Sequence, residues 1–477
     1  MNMKKMVIAV GLALGSTSVM AVDLLSGVGA GNTIYIAGAT ATTGNLSKAI
    51  VNACTTTPDA YVDDTDGKGA VVWVCPTAVT AANISGLPAG KVSSGLTGKF
   101  VVAKYEIDGS FAGVGPLING VTITYPNLSN ATVNTAAGAS TSVYTNANIA
   151  GRVSFTGSTN AQIPDLALSD VEVDIWRARG NKVGAVAGVG GTALATSGYT
   201  HSTTFALQAF GVGVSPLLYA AMQTDQGMTA GCGTAACQPS ISKAQYASLV
   251  QTSGQIAVWK KLLPNTPLAN LPTGATLKIA ARADTSGTQA SSDIYFLNNP
   301  CQTGSSTSAL NPASALTTTD DTNANEVANY PSTSVEVVRL SSSSDVRSAL
   351  GSGYAIGVVS LENAEPTTAS TWRYVKVDGM SPNYFNNALD STQKKTTKYG
   401  QYTFAYPMAL VKRDASTNNS STFANYIVTS LGDGSIVETS KGLLADPGAL
   451  GTFNTNGTTR YTRGSKSCNS MTLSTFE

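Results

Sequence analysis

Short apolar runs, each closing on small or polar residues, recur along the chain. Thr33-Ile34-Tyr35-Ile36-Ala37 reads as a buried strand that enters the turn Gly38-Ala39-Thr40-Ala41-Thr42-Thr43-Gly44. Leu46-Ser47-Lys48-Ala49-Ile50-Val51 then has helical spacing. Lys99 to Tyr105 is a second predicted strand, ending in Asp108-Gly109-Ser110-Phe111-Ala112-Gly113. Asp165-Leu166-Ala167-Leu168 is a third, ending at Ser169-Asp170. Ala275 to Ala280 is a fourth, leading into Arg282-Ala283-Asp284-Thr285-Ser286-Gly287-Thr288 and a segment that can be helical. Strand, small-residue turn and helix in repetition predict an α/β architecture with parallel strands. In such sheets ligands collect at the carboxyl ends of strands, where all four turns fall.

Elsewhere the pattern is less regular. Ile241 to Val250 predicts a helix start, with Ser242 as N-cap and Gln245 three residues on, as a capping box requires. Stretches 55–70, 126–150, 302–330 and 412–422 are rich in Thr, Ser, Asn and Ala with little apolar periodicity, and read as surface loops. The acidic turns Asp63-Asp64-Thr65-Asp66-Gly67 and Asp320-Asp321-Thr322-Asn323 lack the ligand spacing of a calcium loop and read as solvated turns.

At the N-terminus, Lys4 and Lys5 precede an apolar run from Met6 to Leu14 and small residues up to Ala21. That is the pattern of a secretory leader, residues 1–21, cut after Ala21. The expected product is a soluble exported chain, periplasmic or secreted, without a lipid anchor because no cysteine follows the cut. Loss of Lys4 and Lys5 takes the 29 basic residues to 27, against 28 acidic. A near-neutral chain argues against electrostatic binding to nucleic acid or a membrane surface. Charged residues make up 12% of the chain, against roughly 25% in typical soluble proteins. The six cysteines suit an oxidising compartment and allow fifteen pairings. Cys54 with Cys75 and Cys232 with Cys237 would each pair across a short loop, leaving Cys301 and Cys468. His201 is the single histidine, so no zinc spacing exists and any histidine-based catalysis would fall on it; in Tyr199-Thr200-His201-Ser202 it reads as a solvated residue. No metal site, cofactor or catalytic residue is expected.

The chemistry of Arg282 to Thr288 suits an oxyanion. Arginine brings a planar fork of donors that stays charged. Serine and threonine add hydroxyls, and glycine lets the backbone approach. The free N–H groups of a helix's first turn point at an anion.

Taken together, these segments resemble the phosphate-binding proteins of bacterial ABC transporters, which have the two-lobed type 2 periplasmic-binding fold. The matching marks are Ile36-Ala37-Gly38-Ala39-Thr40, Gly109-Ser110, Leu168-Ser169-Asp170 and Arg282-Ala283-Asp284-Thr285-Ser286-Gly287-Thr288. Downstream, Gly353 to Val359 and Thr403 to Val411 are similar to two further family strands. The six marks keep the family's order between about residues 33 and 411. Two departures stand out: Phe111 and Ala112 interrupt the glycine-rich second turn, and Ala41-Thr42-Thr43 continues the first where an aromatic is usual.

The resemblance implies mixed, mostly parallel sheets with a hinge. Lobe I would comprise 22–178 plus 378–477 and lobe II 179–377, with Tyr374 to Gly379 as the return crossing. It implies an oxyanion site from Thr40, Ser110, Asp170, Arg282, Ser286, Gly287 and Thr288. In it Asp170 would favour an anion that still carries a proton, as hydrogen phosphate does and sulfate does not. The implied role is capture of phosphate by a monomer and delivery to an ABC permease. The same fold kept as an exported surface or structural protein is the alternative. A phosphatase is a more distant one, since no nucleophile elbow or metal cluster can be read. Structural readings stand beside each residue: Ser169-Asp170 as a helix cap, Thr40 and Ser110 as turn formers, and Arg282 with Asp284 as an ion pair. A Cys301–Cys468 bond would tie the lobes together and restrict closure; with it, either the tail belongs with the second lobe or the protein does not open as a transporter component should.

Overall fold

The computed structural model describes residues 19–63, 70–105, 109–134, 147–153, 159–179, 193–250, 258–301, 327–330, 335–366, 371–446 and 457–474. Most of the expected leader, most of the first acidic turn, the whole of the second and Asp108 lie outside them. Val19–Val22, which spans the expected cut, forms an edge strand paired antiparallel with Ala131–Asn134.

The strand Val28–Gly38 alternates buried and half-buried positions from Asn32 to Ile36, then is buried on both faces to Gly38. Burial on both faces is what a central parallel strand requires. It pairs in parallel with Lys99–Tyr105 on one side and Leu166–Ser169 on the other, Ile36 lying opposite Leu166. Antiparallel neighbours flank this centre, and further strands, among them the parallel pair Asp59–Asp63 and Asn148–Val153, complete a 10-stranded sheet in the described residues. A second, 9-stranded sheet has a parallel centre too: Leu277–Arg282 pairs with Val335–Leu340 and Tyr354–Ser360. The fold is thus mixed α/β with two sheets, and each has parallel strands at its middle.

Ten α-helices are described. They are α1 (Thr43–Asn52), α2 (Phe111–Asn119), α3 (Val173–Arg179), α4 (Pro216–Asp225), α5 (Lys243–Val250), α6 (Val258–Leu262), α7 (Gly287–Leu297), α8 (Ser343–Ala349), α9 (Lys395–Lys398) and α10 (Ser420–Leu431). The capping box forms at α5: Ser242 Oγ accepts from Gln245 N at 3.0 Å, and Gln245 Oε1 accepts from Ser242 N at 2.8 Å. Helices α1 and α10 cover one face of the first sheet, with Leu46, Ile50, Phe423 and Ile427 on Ile36, Phe100 and Leu166. Ile123, Tyr125 and Leu128 pack on its other face against Val72, Val101 and Val133. The largest core joins the two halves. Phe111, Val114, Leu117 and Trp176 from α2 and α3 bury among Phe210, Ile279, Phe296, Ile356 and Phe404 of the second half. Burying a side chain of this size contributes roughly 1.5–3 kcal/mol.

Two sequence expectations are corrected here. All four stretches read as loops hold regular structure: Asp59–Asp63 lies in 55–70, Ala131–Asn134 and the start of Asn148–Val153 in 126–150, Val327–Tyr330 in 302–330, and the end of Ala409–Arg413 with the start of α10 in 412–422. These are short segments, and pairing with neighbours fixes them as regular structure. The crossings between the halves also lie elsewhere. Tyr199–Ser202 belongs to the first sheet and Ala206–Val214 to the second, so the outward crossing is at 203–205. Arg373–Val377 is a strand within the second sheet, and the return comes at Met408, between Ala405–Pro407 and Ala409–Arg413. These two crossings run side by side as an antiparallel ribbon, with Ser202 opposite Leu410 and Leu207 opposite Pro407, and beyond α10 the chain comes back to the second sheet at Leu443–Ala445, which pairs with Ala206–Val214.

Three disulfides form: Cys54–Cys75, Cys232–Cys237 and Cys301–Cys468, with Cα separations of 5.8, 5.8 and 5.1 Å.

Candidate functional site

Two helix N-termini and one strand end converge. Ser110 precedes α2, Ser286 precedes α7, and Asp170 follows the strand Leu166–Ser169. The contact is close because two glycines permit it. Gly109 takes φ +79° and packs its Cα against Ser286, where a Cβ would sit 3.0 Å from Ser286 Cα. A Cβ on Gly287 would lie 2.4 Å from Ser110 Oγ and 2.6 Å from Asp170 Cβ. The backbone N–H of Phe111 donates to Thr285 O at 2.9 Å, tying the two helix starts together. Neither Ser110 nor Ser286 bonds its hydroxyl into the first turn of its own helix. Instead Ser110 Oγ accepts from Asp170 N at 3.2 Å.

The interruption of the second turn has a structural purpose. Phe111 and Ala112 are the first residues of α2, and Gly113 within it lies on the first sheet. A Cβ there would meet Ala37 C at 2.5 Å and Gly38 N at 2.6 Å. Gly38 in turn takes φ +108° and lies so close to Leu168 that a Cβ would be 2.2 Å from its carbonyl oxygen. Glycine therefore serves helix–strand approach here.

Asp170 is buried, and its Oδ1 has no hydrogen-bond partner. Burial pushes its carboxyl up to about 6, against the pull of Arg282, Lys104 and the Ser110 hydroxyl. Lys104 is a member that the sequence reading did not single out. It is fully buried at the end of Lys99–Tyr105, and its Nζ donates to Ala39 O at 3.0 Å and Thr43 Oγ1 at 2.7 Å. Its signal was a lysine directly after the apolar run Phe100 to Ala103.

Arg282 is also buried, but the fork expected to face a ligand turns another way. Nε donates to Leu340 O at 3.3 Å, Nη1 to Ser343 Oγ at 3.0 Å and Nη2 to Ser341 O at 2.7 Å. Because Leu277–Arg282 runs parallel to Val335–Leu340, the arginine ends beside the carbonyls that lead into α8. It adds charge near Asp170 and ties down that turn. Asp284 sits between Arg179 and Arg339, 3.8 Å from each. Arg179 also pairs with Asp293 of α7 at 2.6 Å. The structure thus gathers Ser110, Asp170, Ser286 and Gly287, with Thr288 buried in the first turn of α7. Thr40, half-buried, opens a 3-10 turn at the end of Val28–Gly38, next to Ala39, whose N–H donates to Leu168 O at 2.8 Å. His201 is exposed on an edge strand, stacked near Tyr199.

No family model and no curated protein matches the chain. Among solved structures, the crystal structure of an ABC-type phosphate transport receptor from Vibrio cholerae is similar at 12% identity, with a TM-score of 0.36. That alignment covers 85% of this chain and 96% of the receptor. A full-length OxyR cysteine-to-aspartate variant from Pseudomonas aeruginosa is similar at 8% identity with a TM-score of 0.23, over 49% of this chain and 47% of that one.

Among the described residues, no helix is long and apolar enough to cross a membrane, and no group of three or more His, Cys, Asp or Glu side chains is placed to hold a metal ion.

Proposed function

We propose that this protein is an exported solute-binding protein that takes up phosphate where α2, α7 and the end of Leu166–Ser169 meet, for delivery to an ABC permease. The observation that carries the reading is Asp170: a buried carboxylate with an unpaired oxygen, set against two helix N-termini. Helix N-termini, Lys104 and Arg282 favour negative charge. An unpaired buried acceptor costs about 1–3 kcal/mol until it is satisfied. A protonated oxyanion satisfies both demands, accepting from Ser286, Thr288 and the α7 N–H groups while donating its own proton to Asp170. Sulfate has no proton to give and would confront the carboxylate. No group in this set is arranged as a nucleophile with its base, so the role is capture and not turnover.

Titration calorimetry with phosphate and sulfate tests this. The wild type should bind phosphate and ignore sulfate, and Asp170→Asn should lose that discrimination. Folded, ligand-free protein that gives no heat with phosphate would end the transport reading.

The alternative is an exported surface or structural protein on the same fold. It is favoured by two observations, the core shared between the two halves and the Cys301–Cys468 bond, which together oppose opening. In that case Asp170 is itself the anion that the two helix starts hold.

A further inference from the structure

A basic pocket of about 550 Å³ lies away from the Asp170 cluster and shares no residue with it. That volume is within the range of small-molecule sites. Its lining includes Lys394, Lys395, Lys398, Tyr399, Phe385 and Glu438. Two more cations stand at its margin. Lys48 of α1 donates from Nζ to Thr439 Oγ1, a lining residue, at 2.7 Å. The Arg460 guanidinium lies 5.7 Å from the Tyr399 ring centroid. In a chain with 29 Lys and Arg among 477 residues, such a concentration is a built feature.

The acids nearby do not balance it. Glu438 is the one carboxylate in the lining. Asp390 is committed to the loop, accepting from Thr392 N and Oγ1 at 3.0 and 2.7 Å and from Lys394 N and Lys395 N at 2.8 and 2.7 Å. That loop is held firmly. Gln393 takes φ +52° with its Nε2 donating to Leu361 O at 2.5 Å and Asn363 O at 3.1 Å. Lys394 is buried, its Nζ donating to Val437 O at 2.6 Å and Leu443 O at 3.3 Å. Burial pushes the Lys394 ammonium down to about 7; Asp390 and Glu438 oppose this, and Lys48 and Lys398 reinforce it. Burial lowers Lys48 and Lys398 as well. Crowded, partly desolvated cations on a preorganised loop are relieved by an anion with more than one charge.

We propose that this pocket is a second binding site, for a compact polyanion that carries two or more phosphate or carboxylate groups. A single charge would leave most of the cations unmatched. A nucleic acid needs a basic stripe along a face, whereas these cations converge on one cavity of a near-neutral chain.

Titration of the full chain with inorganic tripolyphosphate near pH 6.5 tests the site, comparing wild type, Lys395→Ala/Lys398→Ala and Asp170→Asn. Lys395 is exposed and Lys398 half-buried, so the double variant keeps the core, which a thermal melt checks. The expected result is binding by the wild type, at least tenfold weaker binding by the double variant and no change in Asp170→Asn. Absence of binding, equal binding by the double variant, or loss in Asp170→Asn would overturn the proposal. A wild type that takes tripolyphosphate at this pocket but not orthophosphate would keep this site and remove the transport role.

Discussion

Asp170 combines burial, an unpaired oxygen and a raised proton affinity, and the sign of its contribution to stability follows. Its folded-state carboxyl titrates near 6 against 3.8 in the open chain. Between those values the native state holds a proton that the unfolded state has released, so stability falls as the pH rises from about 4 to 6 and is flat above. The shift corresponds to roughly 3 kcal/mol. Asp170→Asn should therefore stabilise the ligand-free protein above pH 6 and remove that slope, as read by denaturant unfolding at a series of pH values. Gly287 is constrained by space. Gly287→Ala forces a Cβ to within 2.4 Å of Ser110 Oγ, and a loss of about 1–3 kcal/mol is expected in the same assay, together with loss of phosphate binding. If Gly287→Ala melts and binds like the wild type, the two helix starts are not in contact as described.

Among the elements, α2 shows how packing aims a site. Gly113 sets the helix against the backbone of Ala37 and Gly38, and this places Ser110 beside Asp170. In Gly113→Ala the helix must lift, so phosphate affinity should drop tenfold or more even though no proposed ligand residue is changed; calorimetry reads this directly. At α5 the reciprocal Ser242–Gln245 cap is worth about 1 kcal/mol, and Ser242→Ala should lower stability by that amount without touching anion binding. The cap was legible because its partners lie three residues apart in sequence. The strand ends, turns and helices of the motif segments were legible for the same reason, being local patterns of apolar period and small residues. Asp59–Asp63 and Ala131–Asn134 were not, since they are too short to stand out from the surrounding Thr, Ser, Asn and Ala and become strands through partners distant in the chain.

At the scale of the whole molecule, the C-terminal segment acts as a strap. Cys468 is bonded to Cys301 just beyond α7, while Ser467 donates to Glu172 and Lys466 Nζ lies 2.6 Å from Asp174, both at the start of α3. Arg463 holds the strap's base, donating from Nε to Ala405 O at 2.8 Å and from Nη2 to Thr403 O at 2.9 Å. The bond closes a sequence separation of 167, for which loop-entropy models give roughly 5 kcal/mol. Cys301→Ser/Cys468→Ser should lower the melting temperature markedly. If the halves hinge on the paired crossings at 203–205 and Met408, the variant should also exchange phosphate faster and show a larger radius by X-ray scattering without ligand. An unchanged radius and exchange rate would mean that the shared core, not the strap, keeps the halves together, and would favour the alternative of a scaffold without transport.

The sequence by itself determined the α/β alternation, the strand-end turns that carry Ser110, Asp170 and Ser286, and the Ser242–Gln245 cap. Each is written in residues close enough to interact along the chain. Only the tertiary structure decided which way Arg282 points, that Lys104 lies near Asp170, where the chain crosses between sheets, and that Lys394, Lys395 and Lys398 line one cavity whose lining residues Lys48 and Arg460 contact. These depend on parallel neighbours and on contacts between segments tens to hundreds of residues apart. A side chain's partners there are fixed by sheet register and helix approach, which no local pattern encodes.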